Sequence, residues 1–517
     1  MIFYHIGLLY HRNAKKYIRR VIIVTMVKWI AQRTWFPYAT ERLIPVITWL
    51  LITFPLWFSP FHPAVVAYFI IAFDLYFFYR AINTVINATK AYQRITVGYK
   101  INFNRKIDKN PKINEINHFI IIPNYLESLE KLKTTISAII ANQYPGNKLY
   151  LVMAFEKQEE AAKEKFKIIN NLYRTKFSKI FDTYHQLSAN EVPGKASNQT
   201  WAAKQISAYV RENQLDPQQI LITICDADSQ LPKNYFSYLT YEFLIDKEHI
   251  YHFYWAPVFL YSNFWQLSFI IRIQATISSI LRLAFLSQKE NLIQISTYST
   301  NLWLLEQINY WDVDIIPEDW HVYLQAFFKF GNKVKTLPLY TIVNSDAVNS
   351  GAIWKTLVNR YEQEKRWAWG ASDIAYTIRQ SFTAPHIPWQ SKLKKILYLS
   401  ENHLLWPTSF FILTISASIP PLINPLFKKT VLGFILPKLS GFILTLTTSM
   451  LLIYIYLDVQ LRKKVKVATP LQSVPLLLIQ WYFLPFVSFL LSSLPALESH
   501  TRLLFGKKIT YKVTEKV

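Results

Sequence analysis

Two aspartates one residue apart, Asp226 and Asp228, close the short apolar run Ile220–Cys225. In extended backbone alternate side chains share a face, so both carboxylates can project from a strand end toward one hard cation. Paired oxygen donors of this kind suit Mg²⁺ or Mn²⁺ bridged to a diphosphate, where the metal offsets charge developing on a leaving group. A second acidic pair, Glu318 and Asp319, lies within Pro317–Trp320, just ahead of a helical run from His321. A carboxylate there can cap the helix; with a substrate hydroxyl in reach, Asp319 can instead act as a general base. The third group is Gln363, Arg366 and Trp367, which on a helix fall at i, i+3 and i+4 and share one face. A guanidinium clamps phosphate, an amide hydrogen-bonds sugar hydroxyls, and an indole stacks on a pyranose ring.

These groups need a frame to hold them. His118–Pro123, Tyr150–Phe155 and Ile220–Cys225 are short apolar runs that end in polar residues, separated by helical segments such as Leu126–Ala141 and Lys157–Arg174. Strands alternating with helices imply parallel pairing, with the site at the carboxyl ends of the strands. Outside this α/β region lie apolar stretches. Leu43–Phe58 and Ala64–Ile86 flank the corner Ser59–Pro63, and Leu404–Phe427, Val431–Leu457 and Val474–Leu497 follow the α/β region. About 20 apolar helical residues cross a hydrocarbon core, so each of these reads as a span. Ala256–Gln288, interrupted by Arg272 and Arg282, and Trp389–Ser400, which carries Lys392, Lys394 and Lys395, read as helices lying in the membrane interface.

The expected organisation is a basic amphipathic segment over 1–42, two transmembrane helices over 43–86, and an α/β domain over 112–381 that includes an interfacial helix near 256–288. A second interfacial helix over 384–401, three or more spans within 402–497, and a basic tail over 498–517 complete it. Two spans plus three put the chain ends on opposite sides of the membrane, yet both ends are basic, against the positive-inside rule.

Composition agrees with a membrane protein. Lys and Arg exceed Asp and Glu by 57 to 33, a formal charge of +24, on a chain that is 51% hydrophobic and 17% charged. That is too apolar for a disordered chain. No nucleic-acid-binding module or basic soluble face accompanies the charge, which sets nucleic acid aside as a partner. The single cysteine, Cys225, excludes an internal disulfide and a thiolate metal cage.

Taken in order, the acidic pairs and the Gln-x-x-Arg-Trp element resemble the membrane-embedded family-2 glycosyltransferases, the group of cellulose, chitin and hyaluronan synthases. Two further elements fit the resemblance: Ile122–Glu127, like the turn after the family's first strand, and Lys195-Ala196-Ser197-Asn198, like its nucleotide-pocket element. Glu156 stands where many members carry an acidic pair that reads the base. The resemblance implies a GT-A catalytic domain, and an inverting, processive enzyme that adds a sugar from a nucleotide-diphosphate sugar, a UDP-sugar in many members, to a growing polysaccharide. Lipid glucosyltransferases also carry Gln-x-x-Arg-Trp, so a lipid acceptor is the alternative, and an inactive transporter or scaffold the third reading. By resemblance Asp319 is the general base, Asp226 and Asp228 hold Mg²⁺ or Mn²⁺, and Tyr125, Glu127, Glu156, Lys195, Asn198 and Asp226 line the donor pocket. Glu318, Gln363, Arg366 and Trp367 then bind the diphosphate and the acceptor. The implied setting is the plasma (inner) membrane with the catalytic domain cytoplasmic.

Overall fold

The computed structural model describes residues 35–108, 110–288, 290–467 and 469–509. Most of the basic segment expected over 1–42 lies outside them. Helices α1 (Trp35–Phe58) and α2 (Pro63–Gly98) meet at the expected corner, where Pro63 opens α2 at a position that needs no backbone donor. Helix α2 runs well past the apolar stretch that ends at Ile86. Its carboxy-terminal turns bury Ala88, Ala91 and Ile95 in the core of the α/β domain, so one helix joins the apolar bundle to the domain.

The domain is a seven-stranded mixed sheet. Its strands are β1 (Asn117–Asn124), β2 (Leu149–Glu156), β3 (Lys179–His185), β4 (Ile220–Ile224), β5 (His252–Trp255), β7 (Tyr298–Asn301) and β8 (Lys335–Pro338), in the order β3-β2-β1-β4-β7-β5-β8. A separate pair is formed by β6 (Val258–Phe259) and β9 (Val343–Asn344). The first four strands are parallel, and β7 runs antiparallel to both β4 and β5. Helices α3 (Leu129–Ile140), α4 (Ala162–Tyr173), α5 (Lys195–Glu212) and α6 (Tyr235–Ile245) lie between or beside these strands in sequence and cover the sheet. Strands covered on both faces read as unbroken apolar runs, and all five residues of β4 are buried. This is the expected α/β layout, a mixed and mostly parallel sheet with flanking helices, and apolar helices attached.

Several boundaries differ from expectation. Residues 256–268 are β6 and turns, and the helix, α7, spans only Phe269–Phe285. After α8 (Glu318–Phe330), α9 (Ile353–Ala368) and α10 (Ser372–Thr383), the expected interfacial helix does not stop at its boundary: α11 runs unbroken from Trp389 to Thr414 with Pro407 inside it. It then bends by 45° into Ser416–Ile423. Helices α12 (Val431–Ser449) and α13 (Leu451–Lys464) follow, and α14 (Leu494–Leu504) ends the described chain's last apolar stretch. Among the described residues, four helical stretches are long and apolar enough to cross a membrane: Trp35–Phe58, Pro63–Gly98, Val431–Lys464 and Val474–Leu504. The bent pair would make a fifth. Helix α11 continues through Pro407 because a helix in an apolar bundle can absorb the lost hydrogen bond.

Contacts fix which ends of these helices lie together. The Asn424 side chain donates to Pro60 O at 3.4 Å, so the bent pair reaches the α1–α2 corner. At the opposite end of α1, Arg42 Nε donates to Leu504 O at 3.0 Å, and Trp49 Nε1 to Thr501 Oγ1 at 3.1 Å. Phe483, earlier in the last stretch, packs on Phe269 at the start of α7. The last stretch therefore touches the domain early and the foot of α1 late.

Candidate active site

The carboxyl ends of β1, β2 and β4 open into one cavity of about 2020 Å³. Beyond β1, Leu126 adopts a left-handed backbone (φ 67°), rare for a branched residue. That turn sets Tyr125 and Glu127 on the cavity wall, with Glu127 accepting from the Tyr125 N–H. Burial pushes the Glu127 carboxyl up to about 7. Beyond β2, Glu156 accepts from His185 Nδ1 at 2.9 Å, and His185 Nε2 reaches Glu191 at 3.0 Å. Burial opposes charge on His185, but the two carboxylates outweigh it and raise its pKa. Asn198, in the first turn of α5, donates to Ala154 O at 3.0 Å. Gly194, at φ 155° just before α5, takes a backbone that a side chain would strain, and so lets Lys195 enter the site.

Lys195 is the centre of the acidic side. Its Nζ lies 2.7 Å from Asp226 Oδ1, 3.6 Å from Glu318 and 3.9 Å from Asp319 Oδ1, and donates to Ser296 O at 3.1 Å. Burial works against the ammonium, yet the three carboxylates hold its pKa well above the usual lysine range. Ser296, left-handed at φ 69°, is the second strained residue. Its hydroxyl donates to Asp226, and its N–H to Asp319 Oδ2 at 2.6 Å. Asp319 Oδ1 is buried without a hydrogen-bond partner among the described residues. Burial raises the pKa of Asp319 well above the carboxylate range, and raises that of Glu318, while Lys195 pulls both down. Both acids sit in the first turn of α8, behind Pro317, where the helix dipole favours negative charge.

Asp228 faces the same cavity, with its Oδ2 accepting from Ser345 Oγ at 2.9 Å and the Asp346 N–H at 3.2 Å. Among the described residues no three His, Cys, Asp or Glu side chains converge as a metal cage. Asp226 and Asp228 fit a Mg²⁺ or Mn²⁺ that draws the rest of its oxygen shell from substrate phosphates and water.

The third group stands on α9. Gln363, Arg366 and Trp367 all line the cavity, held from behind by residues that sequence reasoning did not single out. The buried Arg360 guanidinium binds both Gln363 and Glu364 and lies 4.7 Å from the Trp367 ring centroid. Gln274 on α7 donates to Glu364. Gly370, just past α9, is a close approach: a Cβ there would come within 3.1 Å of the His403 ring.

Residues 221–457 match the family model described as glycosyl transferase family group 2. The matched stretch runs from β4 to α13 and is just under half of the chain. It takes in Asp226, Asp228, Glu318, Asp319, Gln363, Arg366 and Trp367, and leaves the elements of the resemblance from Ile122 to Asn198 outside the match. No curated protein matches the chain in sequence. Among solved structures, it is similar to the mannosyltransferase PcManGT from Pyrobaculum calidifontis in complex with GDP-Man and Mn²⁺, at 13% identity and a TM-score of 0.44 over 85% of this chain and 100% of that one. It is also similar to S. aureus TarS 1–349 in complex with UDP-GlcNAc, at 12% identity and a TM-score of 0.34 over 76% of this chain and 93% of that one.

The structure thus gathers every site residue expected from the sequence, Asn198 included, onto the wall of one cavity. Ser296, Arg282, Arg360 and Glu364 are the additions. A serine before a strand carries no spacing signal, and Arg282 reads in sequence as a cation interrupting an interfacial helix.

Proposed function

We propose that the protein is an inverting glycosyltransferase that moves a sugar from a nucleotide-diphosphate sugar to an acceptor hydroxyl. The single observation that carries this reading is that the acidic pair, Asp319 and the α9 residues share one cavity that continues along the apolar helices. At about 2020 Å³ it exceeds the roughly 300–1,000 Å³ of a site for one small ligand, leaving room for donor and acceptor together.

Asp319, whose Oδ2 is fixed by the Ser296 N–H, takes the acceptor's hydroxyl proton. The hydroxyl oxygen attacks the anomeric carbon, the bond from that carbon to the phosphate oxygen breaks, and the nucleoside diphosphate leaves. A raised pKa suits a base that works near neutrality. Lys195 and Arg366 stabilise charge on the departing diphosphate, and Trp367 offers a ring face to a sugar. A Mg²⁺ or Mn²⁺ held by Asp226 and Asp228 would supply further neutralisation of that charge.

The acceptor of first choice is a growing polysaccharide, extended processively and passed along the cavity beside α2, α11 and α12. A lipid-borne acceptor is favoured by one feature, the apolar wall formed by Ile277, Leu281, Phe285 and Leu451. Contacts at both helix ends favour four crossings, with the last apolar stretch returning to the domain side, which puts the basic flanks together on the cytoplasmic face of the plasma membrane.

The test is release of nucleoside diphosphate from a panel of nucleotide sugars with Mg²⁺ or Mn²⁺, for wild type and Asp319→Asn. The expected outcome is release with one donor, lowered by about 10²–10⁴ in the variant. Sizing the product separates polymer from glycolipid. No release from any donor would sink the enzymatic reading and favour a transporter or scaffold.

A further inference from the structure

Arg282 of α7 is a buried cation with no carboxylate of its own. It is 7% exposed. Its Nη1 donates to Val258 O at 3.0 Å, and its guanidinium lies 5.6 Å from the Trp367 ring centroid. No Asp or Glu among the described residues forms an ion pair with it. The nearby carboxylate, Glu364, is already engaged by Arg360 and Gln274. Burial and the charge of Arg360 lower the pKa of Arg282 to about 10, which leaves it cationic at neutral pH. A guanidinium carries five donors, and holding one buried without an anion is costly unless a ligand completes it.

Arg282 also lines the cavity. It is close enough to Asp226 and Asp319 to feel their charges, yet it stands on a different element from the Asp226 and Asp228 loop. On the same helix Ile277, Leu281 and Phe285 line the cavity as well, and Leu281 is 40% exposed. A cation beside an apolar stripe suits a phosphate ester with or without a hydrocarbon part.

We propose that Arg282 forms a phosphate subsite, separate from the Asp226 and Asp228 carboxylates, that takes a phosphate ester entering this cavity. Two molecules could bring that group: the donor's nucleoside diphosphate, or a phosphate-headed lipid. The proposal rests on the transferase reading only for the first of these sources.

The test uses the purified full chain in detergent, as wild type, Arg282→Gln and Arg282→Lys. One arm measures affinity for UDP and GDP with Mg²⁺ or Mn²⁺. The other measures the shift in melting temperature given by phosphatidic acid, with diacylglycerol of the same chain length as the phosphate-free control. The expected result is a loss of about tenfold or more in Arg282→Gln on one arm, partly restored in Arg282→Lys. Loss on the nucleotide arm assigns the subsite to the donor, and loss of the phosphatidic acid shift assigns it to a lipid. Unchanged binding on both arms in a folded variant overturns the proposal. Should Arg282→Gln fail to fold, Arg282→Lys, which keeps the charge but not the planar fork, is read on the same two arms, with unchanged binding again overturning it. Binding requires no turnover, so a protein that binds through Arg282 but transfers no sugar would sink the transferase reading and leave the subsite standing.

Discussion

Two charged clusters share the cavity, and they are built in opposite ways. Around Lys195, three carboxylates, Asp226, Glu318 and Asp319, meet one ammonium. Around Glu364, two guanidiniums, those of Arg360 and Arg282, lie near one carboxylate. The first cluster hangs on a strand end, a strained loop and a helix start, and backbone N–H groups fix its oxygens. The second stands on α7 and α9 and is held by side-chain forks and an indole ring. One lacks positive charge and the other lacks negative charge, so the cavity is polarised before any ligand arrives. On the proposed transferase reading, a metal-bridged diphosphate would carry both missing signs and engage the two clusters at once.

The sharpest way to break this comparison is to remove Lys195, the cation that bridges the acidic cluster. Lys195→Gln leaves three carboxylates facing one another. The rate of diphosphate release is expected to fall about a hundredfold or more. Because Lys195 holds the Asp319 pKa down, the acidic limb of the pH–rate profile should move to higher pH in the variant. An unmoved limb would show that Lys195 and the base do not communicate.

The matching change on the other side is Arg360→Gln. It strands the buried Glu364 carboxylate, and breaking a buried pair costs about 3–5 kcal/mol. A lower melting temperature is expected, with much of the loss recovered in the double variant Arg360→Gln/Glu364→Gln, where no charge is left uncompensated. Failure of the second change to rescue the first would mean that packing on Trp367, and not the ion pair, is what Arg360 supplies.

Ser296→Ala is the finer probe. It deletes the hydroxyl that donates to Asp226 but keeps the N–H that holds Asp319. A hydrogen bond to a charged group is worth about 1.5–3 kcal/mol, so a loss of roughly ten- to a hundredfold in kcat/KM is expected without loss of folded protein. A Ser296→Ala enzyme with wild-type kinetics would show that this hydroxyl does not set the working state of Asp226.

The same contrast explains what the sequence could and could not tell. The acidic residues were legible because Asp226-Ala227-Asp228 ends an apolar strand and Glu318-Asp319 opens a helix, so type and local spacing carry the signal. Gln363, Arg366 and Trp367 were legible for the same reason, by helical spacing. Ser296 and Arg282 were not, since what makes them matter is a partner 70 residues away in one case and a missing partner in the other. The parallel strands β1, β2 and β4 were readable as apolar runs, whereas β3, a half-exposed edge strand, was not. Nor was the junction near residue 401, because the lysine-bearing turns from Trp389 and the apolar turns up to Thr414 form one helix, and a change of composition does not mark a helix end.

His321 offers the test with the smallest expected effect on transfer, because it acts behind the acidic cluster. It lies two residues past Asp319 on α8, buried, with Nδ1 2.7 Å from Asp373 of α10 and Nε2 2.9 Å from Asp312. Burial disfavours its charge, but the two carboxylates outweigh that and raise its pKa to about 9. A group whose folded pKa lies above its unfolded value of about 6.5 binds its proton more tightly in the folded state. Its contribution, on the order of 3 kcal/mol, is therefore fully present below about pH 6.5 and lost as pH rises through about 9. The wild-type melting temperature should fall across that window, and the fall should be shallower in His321→Asn, whose side chain can still donate to one carboxylate. If the two pH profiles run parallel, His321 is neutral in the folded protein, and α8 is held to α10 by packing against Tyr376 and not by charge.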